Sequence, residues 1–445
     1  MAVLPKHKAQ LNAARKMATS HAEALASYEA PRGLQSLLPT ADARAAFEKA
    51  GFPTPVNEAW TFTNLAPLAK TNFTLPHKGQ VSGAVIGEAK LVRDAVTLVF
   101  INGQLSYDLS EMTSLPVGVT IAPLSQAASM LTDSQVAKLK GKTTDGLAAA
   151  NTAFLTDGYV LRVDEGQNIT TPVELVFLST GGKQAINLKT FITVGKGSTL
   201  ELSEVYHSTS EEAYWHNSVT YIDVAQNGQL HFTRKQDEGT EAFHTAEVHT
   251  TLQRDASFYG FVANLGSKIA RTMFETNVAG HNASANLAGF SLTGKGQHHN
   301  TSTHTLHGVE HTNTNQIFRN VVAEGGHSVF MGKYHVLAEA QHTDAAMLNQ
   351  NLLLAPSAKA DSKPELEIYA DDVKCSHGAT TGKLDETALF YLQARGIDKS
   401  TAMAMLTEGF IDDLLNALPN SQARERLHDA IHRWLGRSMS TSMKG

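Results

Sequence analysis

The chain has 445 residues, a formal charge of −6 and one cysteine. A single compact domain rarely exceeds about 300 residues, so we expect two or three domains or an elongated repeat. Because 37 basic residues face 43 acidic ones, no positive excess is available for a phosphate backbone, and nucleic acid is not an expected partner. One cysteine excludes an intrachain disulfide.

The start of the chain carries basic residues, but no apolar segment follows Met1–Lys16, so a signal peptide is not predicted. No run approaches the ~18 apolar residues of a membrane span, and the longest apolar runs, such as residues 96–101, are strand-sized. Together these features predict a cytoplasmic protein that does not bind a membrane.

Residues 1–80 are predicted to form an N-terminal helical region. The Ala-rich segments Ala22–Tyr28 and Ala41–Ala50 contain strong helix formers, and Pro and Gly separate them. Residues 383–445 are predicted to form a C-terminal helical domain, with helices over Leu384–Arg395, Ser400–Leu418 and Ser421–Leu435. Asn420 is the predicted N-cap of the last helix.

Between these regions, residues 81–382 are rich in β-branched residues, Asn and Gly, which predicts a β core. Similar segments begin at His216, His244, Arg271, His299 and His327, in steps of 28, 27, 28 and 28 residues. Turn-type residues recur in phase at 227–228, 254–255, 281–282 and 310–311.

A nearly constant step with two short strands and two turns is typical of a solenoid coil, so we predict a parallel β-solenoid. Its inward column is expected to include Val219, Val248, Phe274 and Val329. The alternative is a set of ordinary hairpins that have similar lengths by chance. After the repeats, Ala355–Pro364 is predicted as a loop, and Leu366, Ile368 and Ala370 as one face of a further strand.

Histidine is concentrated near the end of the β region. Neutral imidazole is a common metal ligand, but none of these histidines belongs to the HExxH motif of a metalloprotease. For each of them we favour a structural interpretation, in which His and Thr stack along successive coils. The eight are His298, His299, His304, His307, His311, His327, His335 and His342.

The single cysteine, Cys375, lies between Lys374 and His377, and nearby positive charge favours a reactive thiolate. In an extended segment Cys375 and His377 share a face about 6.6 Å apart, at ~3.3 Å per residue. That spacing suits two ligands of one polynuclear metal centre, and it equally suits a buried small residue beside a turn histidine. An iron–sulfur cluster takes four ligands, so another chain would have to supply the rest.

The run Pro364–Thr380 closely resembles the signature of the SUF iron–sulfur assembly scaffold proteins, the SufB/SufD family. Leu384–Ile397 and Glu408–Phe410 resemble the blocks that follow it. Near the N-terminus, Gly51–Thr54 with Glu58, Trp60 and Thr63–Leu65 resembles a SufD motif, although Pro55-Val56 and Thr61-Phe62 depart from it. That motif and the single cysteine indicate the SufD branch rather than the cysteine-richer SufB branch.

The resemblance implies a right-handed parallel β-helix between helical ends, without catalysis by this chain. It implies a heterodimer with a SufB-type paralogue and binding of the ATPase SufC to the C-terminal helices, where Leu406, Phe410, Leu414 and Leu415 are the candidate contacts. It also implies a role in assembling nascent clusters or acquiring iron.

Within that role, the resemblance assigns His377 to nascent cluster assembly and iron ligation, while Cys375 is a candidate with a less certain role. The iron–sulfur cluster would be transient and shared with SufB. A homodimer of the isolated chain and a reduced flavin in the complex stay open. The alternative functions are a β-helix enzyme of the polysaccharide-lyase type and, more weakly, a zinc protein that uses the histidine cluster.

Overall fold

The computed structural model describes residues 5–141 and 145–442, so the predicted terminal regions each extend beyond the described residues. The described residues form nine α-helices and nineteen β-strands. The helices are α1 Pro5–Ala24, α2 Thr40–Ala50, α3 Ala66–Ala69, α4 Gly83–Ala89, α5 Asp133–Leu139, α6 Gly146–Ala153, α7 Glu386–Gln393, α8 Lys399–Leu415 and α9 Ser421–Ser442. How the chain divides into domains stays a prediction.

The strands are short and follow one another with few interruptions. They are β1 Val96–Ile101, β2 Gln104–Ser106, β3 Val119–Pro123, β4 Asp157–Val163, β5 Val173–Ser179, β6 Ala185–Val194, β7 Thr199–Ser208, β8 Trp215–Val224, β9 Gln229–Asp237, β10 Phe243–Leu252, β11 Ser257–Asn264, β12 Ile269–Val278, β13 Ser284–Thr293, β14 His298–His307, β15 Asn313–Val322, β16 His327–Val336, β17 Asp344–Leu353, β18 Lys359–Ile368 and β19 Lys374–Gly382.

The strands build a parallel β-solenoid, as the repeat predicts. Alternate strands belong to two sheets, one in the order β19-β17-β15-β13-β11-β9-β7-β5-β1-β2 and the other β18-β16-β14-β12-β10-β8-β6-β4-β3. Pairing is parallel from β4 and β5 onward, and only β1–β2 and β3–β4 are antiparallel. The hairpin alternative is therefore wrong for the repeat.

The predicted inward column is only half right. Val248 and Phe274 are register partners and lie in the lumen core. Val219 instead pairs with Glu247, and Val329 pairs with Asn300, so both side chains point away from the lumen. The coils differ in length, because the register partners Trp215, Phe243, Ile269, His298 and His327 are not evenly spaced. A shift of one residue moves a side chain to the other face of a strand.

The predicted turns form a ladder of left-handed residues. Asn227, Asp255, Asn282, His311 and His342 have φ values of 55°, 57°, 59°, 57° and 57°. Each N–H at this position donates to the carbonyl of a residue in the next coil, as in Asn227 to Arg254 at 3.0 Å. Asn and Asp tolerate this conformation better than other non-glycine residues, which explains the composition of the turns.

Replacing Asn282 with valine should destabilise the solenoid by about 1–2 kcal/mol, because a β-branched side chain is strained at positive φ. Asn282→Gly is the matched control, since glycine adopts this conformation freely and keeps the N–H that donates to His311. Scanning calorimetry should show a lower melting temperature for the valine variant only. Equal melting temperatures for both variants would contradict the strained-turn explanation.

The N-terminal helices cover the outer face of the nine-stranded sheet. Trp60 lies under the Arg271 guanidinium of β12 at 4.1 Å from the ring centre, and Thr63 Oγ1 accepts from Asn300 Nδ2 at 2.7 Å. Buried apolar residues of α1, α2 and α6 pack with the first residues of β8, β10 and β12. The N-terminal motif therefore anchors this helical layer to the solenoid.

The C-terminal helices cover the outer face of the ten-stranded sheet. The predicted helices are confirmed with shifted ends, and Asn420 caps α9 by accepting from the N–H groups of Gln422 and Ala423. Apolar residues of α8 and α9 pack against strands of this sheet from β1 to β17. Within the described residues, no helix is both long and apolar enough to cross a membrane.

The predicted loop Ala355–Pro364 is wrong in its second half, because β18 begins at Lys359. The Lys359 N–H donates to the Gly326 carbonyl, so the N–H groups of every second residue from Lys359 point toward β16. The backbone nitrogen of Pro364 therefore points to the unpaired side of this last strand. Proline is tolerated there because no hydrogen bond to a neighbouring strand is lost.

Candidate cluster-assembly site

The candidate site lies at the open end of the solenoid. β18 and β19 are the last strands of their sheets, and each pairs with a neighbour on one side only. Most residues of β19 are exposed. Ile368, the last residue of β18, and Tyr369, which follows it, are 37% and 63% exposed. The lumen core is thus uncovered at this end of the described chain.

Cys375 and His377 lie on the lumen-facing side of β19. Their register partners on β17 are Ala345 and Met347, which both belong to the lumen core. Cys375 is half-buried and packs against this core, whereas His377 is exposed. The structure therefore brings the two candidate residues to one face of an edge strand, with the imidazole accessible.

The expected reactive thiolate is not supported. Burial, and then the carboxylate of Asp344, raise the pKa of the Cys375 thiol above its usual value. Lys374 is adjacent in the strand, so its side chain points to the opposite face and does not offset this effect. Cys375 is therefore a weaker thiolate donor than its basic neighbours suggest.

A polar network lies near the C-terminal ends of β17 and β19. Asn351 Nδ2 donates to Ser362 Oγ at 3.0 Å and to Asn349 Oδ1 at 2.9 Å, and it lies 3.3 Å from Thr381 Oγ1. These groups link β17 and β19 of one sheet to β18 of the other sheet. Sequence reasoning missed them, because only the coiling of the chain brings residues of three strands together.

The residues that match known proteins cover the solenoid and the layer before it. Residues 177–410 match the SUF system FeS cluster assembly, SufBD core domain family, and residues 37–175 match the SufBD protein N-terminal region. The chain belongs to the SufBD family. The resemblance seen in the residues around Cys375 is thereby confirmed.

The similarity to SufBD relatives extends along nearly the whole chain. It is 29% identical to the iron–sulfur cluster assembly protein SufD of Escherichia coli over 405 residues, which is 90% of this chain and 91% of that protein. It is 28% identical to a SufBD family protein of Synechocystis over 84% of this chain and 86% of that one. SufB of Bacillus subtilis is 25% identical over 65% of this chain and 62% of that protein. The polysaccharide-lyase alternative has no support among these relatives.

The histidines of this SufBD chain form ladders along the coils, in agreement with the structural interpretation. The rings of His304 and His335 stack at 6.3 Å, and those of His311 and His342 at 4.7 Å. His299 Nε2 lies 2.7 Å from the Gly266 carbonyl, and burial lowers the pKa of His299 to about 4. The predicted stacking of imidazoles between coils is thus present.

The predicted contacts for SufC are not all available on the surface. Leu414 and Leu415 are each 4% exposed and pack within the chain against the solenoid, and Phe410 is half-buried beside them. Leu406 is also half-buried. Only Leu406 and Phe410 therefore keep part of their surface for a partner. Leu414 and Leu415 pack against the sheet beneath α8, a contact that sequence reasoning did not consider.

The exposed apolar residues of the C-terminal region lie mainly on α7. Phe390 and Tyr391 are 71% and 54% exposed, and α7 has no buried residue. Asp385 caps this helix by accepting from Thr387 N–H at 2.8 Å, so the helix is well defined although little covers it. Two adjacent aromatic residues in a predicted helix were the sequence signal for this surface.

Proposed function

We propose that this chain is the SufD-type, non-catalytic subunit of an iron–sulfur cluster assembly scaffold, and that its open end pairs with a SufB-type paralogue. The carrying observation is the exposed edge strand β19, which presents His377 beside an uncovered lumen core. Unpaired strand edges are templates for strand addition by another chain. The relatives named as cluster assembly proteins support the same reading.

In this proposal the cluster is cargo that passes through the interface. Cys375 and His377 are two donors at most, and four ligands are needed, so the SufB-type partner would supply the others. His377 is the better donor of the two, because its imidazole is exposed while the Cys375 thiol is half-buried with a raised pKa. We assign iron ligation or proton delivery to His377 and a smaller role to Cys375.

The backbone of β19 supports pairing with another subunit. Lys374 N–H donates to Thr343 at 2.8 Å. Since alternate residues of a strand point to opposite sides, the N–H groups of Cys375, His377, Ala379 and Thr381 face the free side. On β18, Pro364 interrupts the series of unpaired backbone N–H groups. The strand β19 therefore offers the longer uninterrupted series of N–H donors.

Co-expression with a SufB-type paralogue and a SufC-type ATPase tests the proposal. We expect the three chains to purify together and the complex to carry iron and acid-labile sulfide, which native mass spectrometry and metal analysis would measure. A chain that forms only homodimers in the presence of the paralogue would contradict it. The compartment proposed is the cytoplasm, where reducing conditions keep a lone thiol such as Cys375 free.

We further propose that the ATPase binds α7. Replacing Phe390 and Tyr391 with alanine should weaken SufC binding roughly 30-fold or more, because exposed aromatic residues are frequent hot spots at interfaces. Pull-down and titration calorimetry would measure the change. Truncation at Gly382 is a poorer test, since removing α8 and α9 also uncovers the apolar face of the solenoid.

Tyr107→Ala is the matched control for this surface. Tyr107 is 50% exposed and lies between β2 and β3, outside the C-terminal region. Its loss should leave SufC binding unchanged. Equal binding by the α7 variant and the wild type would place the ATPase elsewhere, while SufB pairing would be unaffected in either case.

A further inference from the structure

Three potential metal ligands converge inside the solenoid, many strands away from the open end. His216 lies on β8, Glu238 directly follows β9, and His244 lies on β10. One ligand atom of each falls within 4.8 Å of the other two, and all three side chains are buried. His216 and His244 are register partners in adjacent parallel strands, so the coil repeat itself brings the two imidazoles together.

The His216 imidazole is incompletely satisfied. Its Nε2 atom is buried and has no hydrogen-bond partner. The ring is held between Tyr206 at 4.8 Å, edge on, and His244 at 5.3 Å, nearly parallel. A buried polar atom without a partner costs about 1–3 kcal/mol, so an arrangement that fixes it so firmly indicates a missing ligand.

The carboxylate of Glu238 is oriented by neighbouring side chains. Tyr214 OH donates to Oε1 at 2.8 Å, Gln236 Nε2 donates to Oε2 at 3.0 Å, and His244 Nδ1 lies 2.7 Å from Oε2. Gln236 also donates to Ser267 Oγ at 2.7 Å, which fixes its amide. Hydrogen-bonded outer groups of this kind orient the ligands of metal sites.

We propose that His216, Glu238 and His244 form a mononuclear site for a divalent first-row transition-metal ion, Zn²⁺ or Fe²⁺. Two imidazoles and one carboxylate are a ligand set that both ions accept, with further positions left for water. Bonds of about 2.0–2.1 Å place tetrahedral ligand atoms about 3.4 Å apart, a separation that lies between the 2.7 Å of the His244–Glu238 pair and the 4.8 Å limit for the whole group. The site does not depend on the proposed role in cluster assembly.

The charged groups around this position are of both signs. The nearest guanidinium, that of Arg234, is engaged by the Glu204 carboxylate at 3.1 Å, with both side chains 1% exposed. Glu238 also lines a cavity of about 830 Å³ between the solenoid and α9, whose walls carry acidic residues such as Glu88 and Asp237 and basic residues such as Arg426 and Arg433. This cavity brings space that solvent can enter next to Glu238.

A second group, Glu408, His428 and His432, lies between α8 and α9 and complicates any measurement of metal binding. His432 is exposed, and its Nδ1 lies 2.7 Å from Glu408 Oε1. The variant His432→Ala removes this group without touching the solenoid. It is therefore the background in which the buried site should be tested.

The experiment titrates tag-free, chelator-treated His432→Ala protein with Co²⁺ and Zn²⁺ during long incubation. We expect visible d–d absorption from one bound Co²⁺ per chain, displacement by Zn²⁺ and a higher melting temperature with metal. Adding Glu238→Gln should abolish all three. The amide oxygen can still accept from Tyr214, but the amide nitrogen then faces the Gln236 amide, so circular dichroism checks that the fold is kept.

His216→Gln on the same background is a second variant that does not depend on Glu238. Loss of the signal in both double variants is the expected result. Co²⁺ absorption of unchanged intensity in either folded double variant, or no binding by the His432→Ala protein, would overturn the proposal. The proposed pairing with a SufB-type subunit can be checked on the same variants and should be unaffected.

Discussion

A His377→Ala variant is expected to lose most of the iron and acid-labile sulfide of the co-purified complex without dissociating it. His377 is exposed on the open end of the lumen, so its removal takes away a donor and leaves the core intact. Loss of an outer group near a metal lowers affinity about tenfold or more, and loss of a direct ligand should cost at least as much. Iron and sulfide would be measured on the complex after gel filtration.

Cys375→Ser is the comparison for this variant. Its thiol is half-buried and has a raised pKa, so we expect a smaller decrease in iron and sulfide. Thermal melts control for folding, because Cys375 packs against the lumen core. Full iron content in His377→Ala together with loss in Cys375→Ser would reverse the roles proposed for the two residues.

The second large effect is expected from Ala379→Pro in β19. The Ala379 N–H faces the free side of the strand, so proline removes no hydrogen bond within the chain. It does remove a donor that an added strand would use, and its ring obstructs close approach. Affinity for the SufB-type paralogue should fall about tenfold or more, since a hydrogen bond contributes about 1 kcal/mol and the steric effect adds to it.

Ala379→Val separates strand pairing from a change of side chain at the same position. Valine keeps the N–H and suits a strand, so binding of the paralogue should stay near the wild-type level. Titration calorimetry or surface plasmon resonance with the purified paralogue would compare both variants. Wild-type affinity of Ala379→Pro would show that the partner does not add a strand to β19.

The sequence by itself determined the features that depend on local chemistry. The step of about 28 residues and the turn residues at Asn227, Asp255 and Asn282 predicted the solenoid, because few residues other than glycine tolerate left-handed φ. Asn420 predicted the start of α9 through its ability to cap backbone N–H groups. The run around Cys375 and His377 predicted the family, which the matched residues confirm.

The tertiary structure alone decided which residues face one another across coils. Val329 left the predicted column because the two coils after Phe274 each span 29 residues, and a register shift by an odd number of residues reverses the face. Leu414 and Leu415 are core residues because α8 packs on the ten-stranded sheet. Asp344 raises the pKa of Cys375 from a neighbouring strand, and Glu238 joins His216 and His244 from a turn. Such effects depend on distances through space, which local sequence patterns do not specify.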